Sequence, residues 1–392
     1  MLNAIYDQNY HISMKKIIFR KIAEDCFKFF FLTIFTISSI IWVLQAVNYL
    51  DFVVEDGHGL LVYFNYTLLN FPKIMSRIFP FALFISVTYI LIKYENNNEL
   101  VIFWNIGINK TRFINFFIKV SLLFVLLNLI LSSTIAPSSQ YKARSFLKNS
   151  NLDFFESALR PKKFNDVVGD LTIYFEEKDN NGGLKNIFLK ETISANSYQI
   201  TYGKTGVSRL DSNKKMLTLY NGKSIINEQG KISEFKFTDI DIDISKFNSR
   251  TISTPKTQET STKNIIQCLL RLHKEKTGEK THLSSENIIN CNTGNAENIL
   301  KELYERLVKP FYNTILIMIA LLLILKSKDS YDFKFYKFKT YILGFFFIFF
   351  IESSSKLIST NFLYNFLIFG LPVFLFSLIY FYFWINLKIK KK

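Results

Sequence analysis

The sequence predicts an α-helical membrane protein: six transmembrane helices, grouped three and three, around an inserted all-β extracytoplasmic domain of jelly-roll-like type. Three observations predict it. Six apolar runs are each long enough to cross a bilayer at about 1.5 Å per residue. A long polar stretch between the third and fourth runs carries strand periodicity. Lys and Arg cluster in alternate connections, as the positive-inside rule requires. The 392-residue chain is 49% apolar and holds 42 Phe, too greasy for an ordinary soluble enzyme. Its net charge of +16 raises nucleic acid as a partner, but no helix-turn-helix, zinc-finger or RNA-binding signature accompanies it. No nucleic-acid partner is expected.

The N-terminal transmembrane half is residues 1–137. Residues before Met14 are polar and unpatterned, and Met14-Lys15-Lys16 reads as a natural start. Lys15, Lys16, Arg20, Lys21 and Lys28 lead into the first span, 27–50. That run exceeds a signal-peptide h-region and no small-x-small site follows, which predicts an uncleaved helix with its amino end inside. Residues 51–59 carry Asp51, Glu55 and Asp56 without a cation, as expected outside. The second span, 60–92, contains Pro72 and Pro80 and should be kinked or tilted. Lys73 and Arg77 lie four apart on one of its faces, where lipid contact is expensive. They contact an anionic lipid or snorkel to the outer interface.

Between the second span and the third, 113–135, lies a short cytoplasm-facing helix over 98–107. Asn98 can cap it, Glu99 sits at the positive end of its dipole and Gly107 can end it. Leu100, Phe103 and Trp104 share a face, and Val101, Ile102 and Ile106 cover much of the rest. At about two turns the helix is too short to stand alone and needs an apolar setting, either a partner's groove or the lipid headgroups.

The third span ends at Ala136-Pro137, and residues 138–298 form the β-rich domain with its connecting segment. Residues 171–177 and 184–189 flank a turn at 180–183, and Asn221-Gly222 predicts a hairpin between 217–220 and 223–226. Phe235 and Phe237 alternate out of phase with Ile240, Ile242 and Ile244, which predicts a bulge near Thr238-Asp239. Many short antiparallel strands imply a sandwich, jelly roll or barrel. Cys268 and Cys291 read as two free thiols, with pairing open to them in an oxidising compartment.

The C-terminal transmembrane half, 299–392, holds spans 302–325, 341–358 and 366–387. Pro310 interrupts the first of these, Lys326 to Lys339 make a basic cytoplasmic loop, and Lys388 to Lys392 stay inside. Glu352 and Lys356, four apart, predict a structural ion pair rather than a proton relay, because no second intramembrane carboxylate is available to pass the proton on. Four His without ligand spacing offer no metal site, and no catalytic constellation appears.

The plan resembles the LptF/LptG family of lipopolysaccharide-export permeases. Asn98-Glu99-Leu100 with Gly107 is similar to its coupling helix, and Pro72 and Pro80 to its paired prolines. Ala136-Pro137 with Arg144 resembles its exit from the third span, and Leu219-Tyr-Asn-Gly222 its L-x-D/N-G hairpin. Glu302-Leu303, Arg306-Leu307 and Pro310 resemble its approach to the fourth span, and Pro372 its last-span proline. Residues 42–46 through Asp51 lean towards the LptF branch. The family's coupling-helix Arg is replaced around Trp104-Asn105, and its fourth-span His is Tyr304.

The resemblance implies the permease subunit of an ABC transporter. With no G-x-x-x-x-G-K-[ST] loop in the chain, ATP and Mg would bind a partner, and this chain itself would hold no cofactor. The implied partners are a related six-span LptG-like or LptF-like permease, a soluble LptB-like ATPase dimer, a single-span LptC-like protein, an LptA-like periplasmic bridge and lipopolysaccharide. Glu99, Leu100, Phe103, Trp104 and Gly107 would couple to the ATPase. Lys73, Arg77 and Lys28 are the candidate substrate contacts, by charge and depth. Pro72, Pro80, Pro137, Arg306, Pro310, Glu352 and Lys356 would be structural. A lipoprotein-release permease and a membrane-anchored scaffold or signalling protein are the rival readings. The first usually carries its outer domain after the first of four spans; the second has no use for intramembrane charges.

Overall fold

The computed structural model describes residues 2–50, 60–157, 161–167, 171–179, 183–194, 197–211, 214–228, 230–243, 256–277, 291–359 and 362–389. The acidic loop 51–59, the turn at 180–182 and Ile244 lie outside the described residues. Two compact units emerge: Met1–Leu44, Leu69–Tyr141 and Lys256–Lys392 form the first, Gln45–Leu68 and Lys142–Pro255 the second.

Among the described residues, six helical stretches are long and apolar enough to cross a membrane. The helices outrun the apolar windows because polar residues at the ends continue the turns. Helix α1 (Leu2–Asn48) is one rod, including the residues expected to be unpatterned. Helices α2 (Leu60–Leu69) and α3 (Phe71–Asn96) divide the second span at Asn70. Pro72 is in the first turn of α3, where its missing N–H removes no bond, whereas Pro80 lies inside the helix. Then come α4 (Glu99–Asn105) and α5 (Lys110–Ile130). The third span does not stop at Pro137. A π-helical turn, Leu131–Ile135, passes directly into α6 (Ala136–Ser157), so the expected start of the β region is helical.

Past the sheet, α7 (Thr262–Thr277) precedes α8 (Ala296–Leu307), a 3-10 turn (Lys309–Phe311) and α9 (Tyr312–Leu321). Helices α10 (Phe333–Ser354) and α11 (Phe362–Ile389) complete the set. All ten residues of α9 are buried, and Ile22, Phe30, Leu83, Phe84, Phe113 and Phe117 join them in the main core. At Gly344 of α10 a Cβ would overlap the Phe84 ring, so only glycine lets α10 and α3 approach this closely.

A second cluster packs α7 on α8 through Ile265, Leu272 and Ile299. It contains a disulfide, Cys268–Cys291, whose Cα atoms are 5.8 Å apart. This corrects the expectation of free thiols. The α7–α8 packing brings into bonding range two residues whose separation of 23 in sequence says nothing about distance.

The β region is one antiparallel sheet of β1 (Asn165–Val167), β2 (Leu171–Tyr174), β3 (Glu177–Lys178), β4 (Gly183–Ser194), β5 (Ser197–Asp211), β6 (Lys214–Glu228) and β7 (Lys231–Asp243). Sequence neighbours pair in turn, and β2 and β3 are one interrupted strand along β4. The described strands thus make a meander, without the crossovers of a jelly roll.

Asn221-Gly222 is not a hairpin. It lies in the middle of β6, with β5 and β7 paired on both sides of it, and the hairpin is at Glu228–Lys231. Nor is there a bulge near Thr238, because β6 and β7 keep one register across it. The phase slip is real but has another cause. The ladders skip one row, Asn186, Lys204, Asn221 and Thr238, in four successive strands. Asn186 and Asn221 have φ of 50° and 52°, the left-handed region that Asn tolerates best among residues with a side chain. Each strand changes phase there: Leu184 and Ile187, Gly203 and Gly206, Leu219 and Ser224 are buried on either side. A crease shared by four strands swaps faces without shifting register.

Candidate functional site

Three prolines build a cleft at the end of the helical unit where α5 passes into α6 and α8 into α9. Pro137 has no N–H for Ser133, four residues earlier, and the helix opens into the π turn. The Ser133 carbonyl instead accepts the Thr262 hydroxyl. Pro310 likewise releases the Arg306 carbonyl, which accepts from Ser132 Oγ at 2.9 Å. Pro80 leaves the carbonyl of Ser76 without its helical donor. All three prolines and Ser76 line one open cleft of about 640 Å³, its mouth included. Pro72 is not in its lining.

Lys73 and Arg77, one turn apart on α3, both line this cleft. Lys73 Nζ donates to Gln258 Oε1 at 2.8 Å. Arg77 is exposed, and no hydrogen bond or ion pair engages it among the described residues. The other two cations of the lining are already neutralised. Arg306, only 2% exposed, holds Glu302 at 2.8 Å, and Lys309 holds Glu352 at 2.5 Å. With Glu305 also present, the cleft keeps a small positive surplus carried by Lys73 and Arg77. Two like charges at this spacing repel each other. Asn128, 4% exposed, adds an Oδ1 with no hydrogen-bond partner among the described residues.

Arg306 is the anchor of the cleft's roof. Besides Glu302, its guanidinium donates to the carbonyls of Gln258 and Thr260 at 2.9 and 2.8 Å and to Thr262 Oγ1 at 3.0 Å. It thereby fixes residues 258–262 with Gln258 in the cleft lining.

One expected ion pair fails here. Glu352 pairs with Lys309, not Lys356, because the helix tightens to a 3-10 turn at Ser355–Leu357 and residues four apart no longer stack. Lys28 is absent from the lining and meets Glu24 on its own helix at 2.7 Å. Sequence reasoning missed Gln258, Asn128 and Lys309 as cleft residues. Only the proline spacing hinted at the carbonyls they surround.

At the other end of the bundle, α4 spans seven residues. Asn98 precedes it with φ of 63° and makes no side-chain cap, contrary to expectation. Asn97 Nδ2 reaches Glu99 Oε1 instead, at 3.1 Å. Gly107, with φ of 81°, ends the turn as expected of glycine. Leu100 and Phe103 point into the chain's own core, 2% and 8% exposed. Trp104 lies edge-on to Phe113 with Lys110 Nζ over its ring. These three side chains are therefore occupied internally, and the apolar face left open is Val101 and Ile102. Lys110 Nζ also donates to the Ile324 carbonyl at 2.7 Å, and the buried Glu95 accepts the Lys328 backbone N–H at 2.7 Å. The α4 turn and the 324–328 turn are thus joined as one body.

Compared with known proteins, residues 20–386 match the family described as lipopolysaccharide export system permease LptF/LptG. An uncharacterized protein of Rickettsia prowazekii (strain Madrid E) is 22% identical over 300 residues, covering 76% of this chain and 78% of that protein.

Proposed function

We propose, from the premise that this chain belongs to the LptF/LptG family of lipopolysaccharide export permeases, that it is one permease subunit of an ABC transporter in the bacterial inner membrane. In this reading a related six-span permease completes the transmembrane part, a soluble LptB-like ATPase dimer supplies the energy, and a single-span LptC-like protein accompanies them. Lipopolysaccharide leaves the outer leaflet and passes by way of the sheet to an LptA-like bridge. Both termini and the α4 turn face the cytoplasm, where the Lys and Arg surplus lies, and the sheet faces the periplasm.

The observation that carries the reading is the pair Lys73 and Arg77 in a proline-built cleft of an export permease. A phosphate on the lipid headgroup neutralises both. At the other end, the exposed Val101 and Ile102 dock on the ATPase. Because Lys110 and Glu95 bind the 324–328 turn, a push on α4 moves the second, third and fourth spans together.

Val101→Glu with Ile102→Glu tests the coupling in the purified complex. We expect the ATPase to be lost from the complex or to hydrolyse without export. Export at the normal rate would overturn the docking assignment.

A further inference from the structure

Resting on the reading of the cleft as a headgroup site, we infer that Gln258 is its resident occupant, and that a phosphorylated sugar enters by displacing the Gln258 amide from Lys73. Four observations carry this. The Gln258 side chain makes the one hydrogen bond to Lys73 found among the described residues, at 2.8 Å, and it is a neutral acceptor facing a cation. A phosphate oxygen bears charge, accepts from an ammonium roughly twice as strongly, and can take Arg77 in a two-bond fork at the same time. The amide therefore gives way to phosphate and not to a neutral headgroup.

The side chain is also dispensable to the fold. The segment that carries it is held by other groups, by Arg306 on the backbone carbonyls of Gln258 and Thr260 and by the Thr262 hydroxyl on the Ser133 carbonyl. Gln258 can swing away while the roof stays. Finally, the orphaned Oδ1 of Asn128 in the same cleft lacks a donor. A sugar hydroxyl beside the phosphate supplies one, which selects a phosphorylated sugar over a bare anion.

The consequence is a seat that is never empty. Lys73 exchanges one acceptor for another, the incoming phosphate is held less tightly than an open cation pair would hold it, and the returning amide helps to expel it. A transporter gains from this, since a lipid bound too tightly is not released.

The test uses the full-length chain in its native complex in lipid nanodiscs. It is titrated with purified lipopolysaccharide, with the same lipid after phosphatase treatment, and with inorganic phosphate as competitor. Gln258→Ala should tighten lipopolysaccharide binding about threefold to tenfold and slow its dissociation, because the competitor is gone. Gln258→Glu, nearly the same shape, should weaken binding about tenfold by pinning Lys73 in an internal ion pair. The dephosphorylated lipid should bind wild type and both variants alike. Inorganic phosphate should compete better in Gln258→Ala than in wild type; equal competition would overturn the displacement.

Lys73→Ala with Arg77→Ala separates the two levels of the claim. If that pair binds lipopolysaccharide as wild type does, the headgroup reading itself falls. If the pair loses binding while both Gln258 variants match wild type, only the role of Gln258 falls. Unfolding midpoints of all variants, compared with wild type, control for damage to the fold.

Discussion

The fourth span and α11 differ little in hydropathy and lie in opposite surroundings. Thr293–Leu325 is largely enclosed by the protein, whereas Tyr364–Lys388 turns most of its side chains outward, including Phe366, Phe374, Leu378 and Phe381. Hydropathy measures a preference against water, and lipid and protein core satisfy it equally well. What separates the two helices is where their polar groups bond. On the fourth span, Tyr304 meets Tyr312 and Ser354, Thr314 meets Ser121, and the Arg306 carbonyl meets Ser132, each reaching to another turn or helix. On α11, Ser377 and Asn386 bond carbonyls of their own helix, and Tyr380 reaches Asn115 of α5 only at 3.5 Å on the exposed face. Cross-helix bonding marks the span that organises the bundle.

The comparison is broken most severely at Arg306. Arg306→Met would leave the largely buried Glu302 side chain and the half-buried carbonyls of Gln258 and Thr260 without their donor. Losing one partner of a buried pair costs about 3–5 kcal/mol, so a large drop in unfolding free energy in mild detergent is expected. A loss below about 1 kcal/mol would mean that water or lipid headgroups already reach these groups.

Gly344 sharpens the contrast within a single helix. Gly344→Leu drives a side chain into the Phe84 ring and should cost about 1–3 kcal/mol, read as a lowered unfolding midpoint. Phe346→Leu, two residues away and outward-facing, should stay within about 0.5 kcal/mol. Phe84→Ala should return part of the loss in the double variant and distinguish overpacking from helix distortion.

The six spans were legible because apolar run length is a direct physical constraint, and the cleft was half legible because proline must release a carbonyl wherever it interrupts a helix. Lys73 and Arg77 could be named from charge and depth. Their companions could not, since Gln258 is 185 residues from Lys73 in sequence. The α4 helix is apolar all round, so its sequence does not choose between the face that enters the core and the face that stays open. Leu100 and Phe103 went inward, and Val101 and Ile102 did not. Asn221-Gly222 misled for a related reason. The tolerance of Asn for positive φ serves a hairpin or a crease equally, and only the neighbouring strands decide. Glu352 had two cations within reach of its helix position, and the 3-10 turn after Ser354 removed one.

The smallest effects discriminate best between the two kinds of polar group. Tyr304→Phe removes a hydroxyl bonded to both Tyr312 and Ser354, while Tyr312→Phe removes one of those bonds and leaves Tyr304 with Ser354. Interhelical bonds of this kind average about 0.6 kcal/mol in bilayers, so Tyr312→Phe should cost about that and Tyr304→Phe about twice as much. Ser377→Ala gives up a bond that a serine makes to its own helix and that slightly disfavours the helix, so no measurable loss is expected. Thermal unfolding of the three variants in one detergent orders them. Equal losses at Tyr312 and Ser377 would mean that the fourth span draws its position from apolar packing alone, and that its cross-helix hydroxyls merely avoid a penalty.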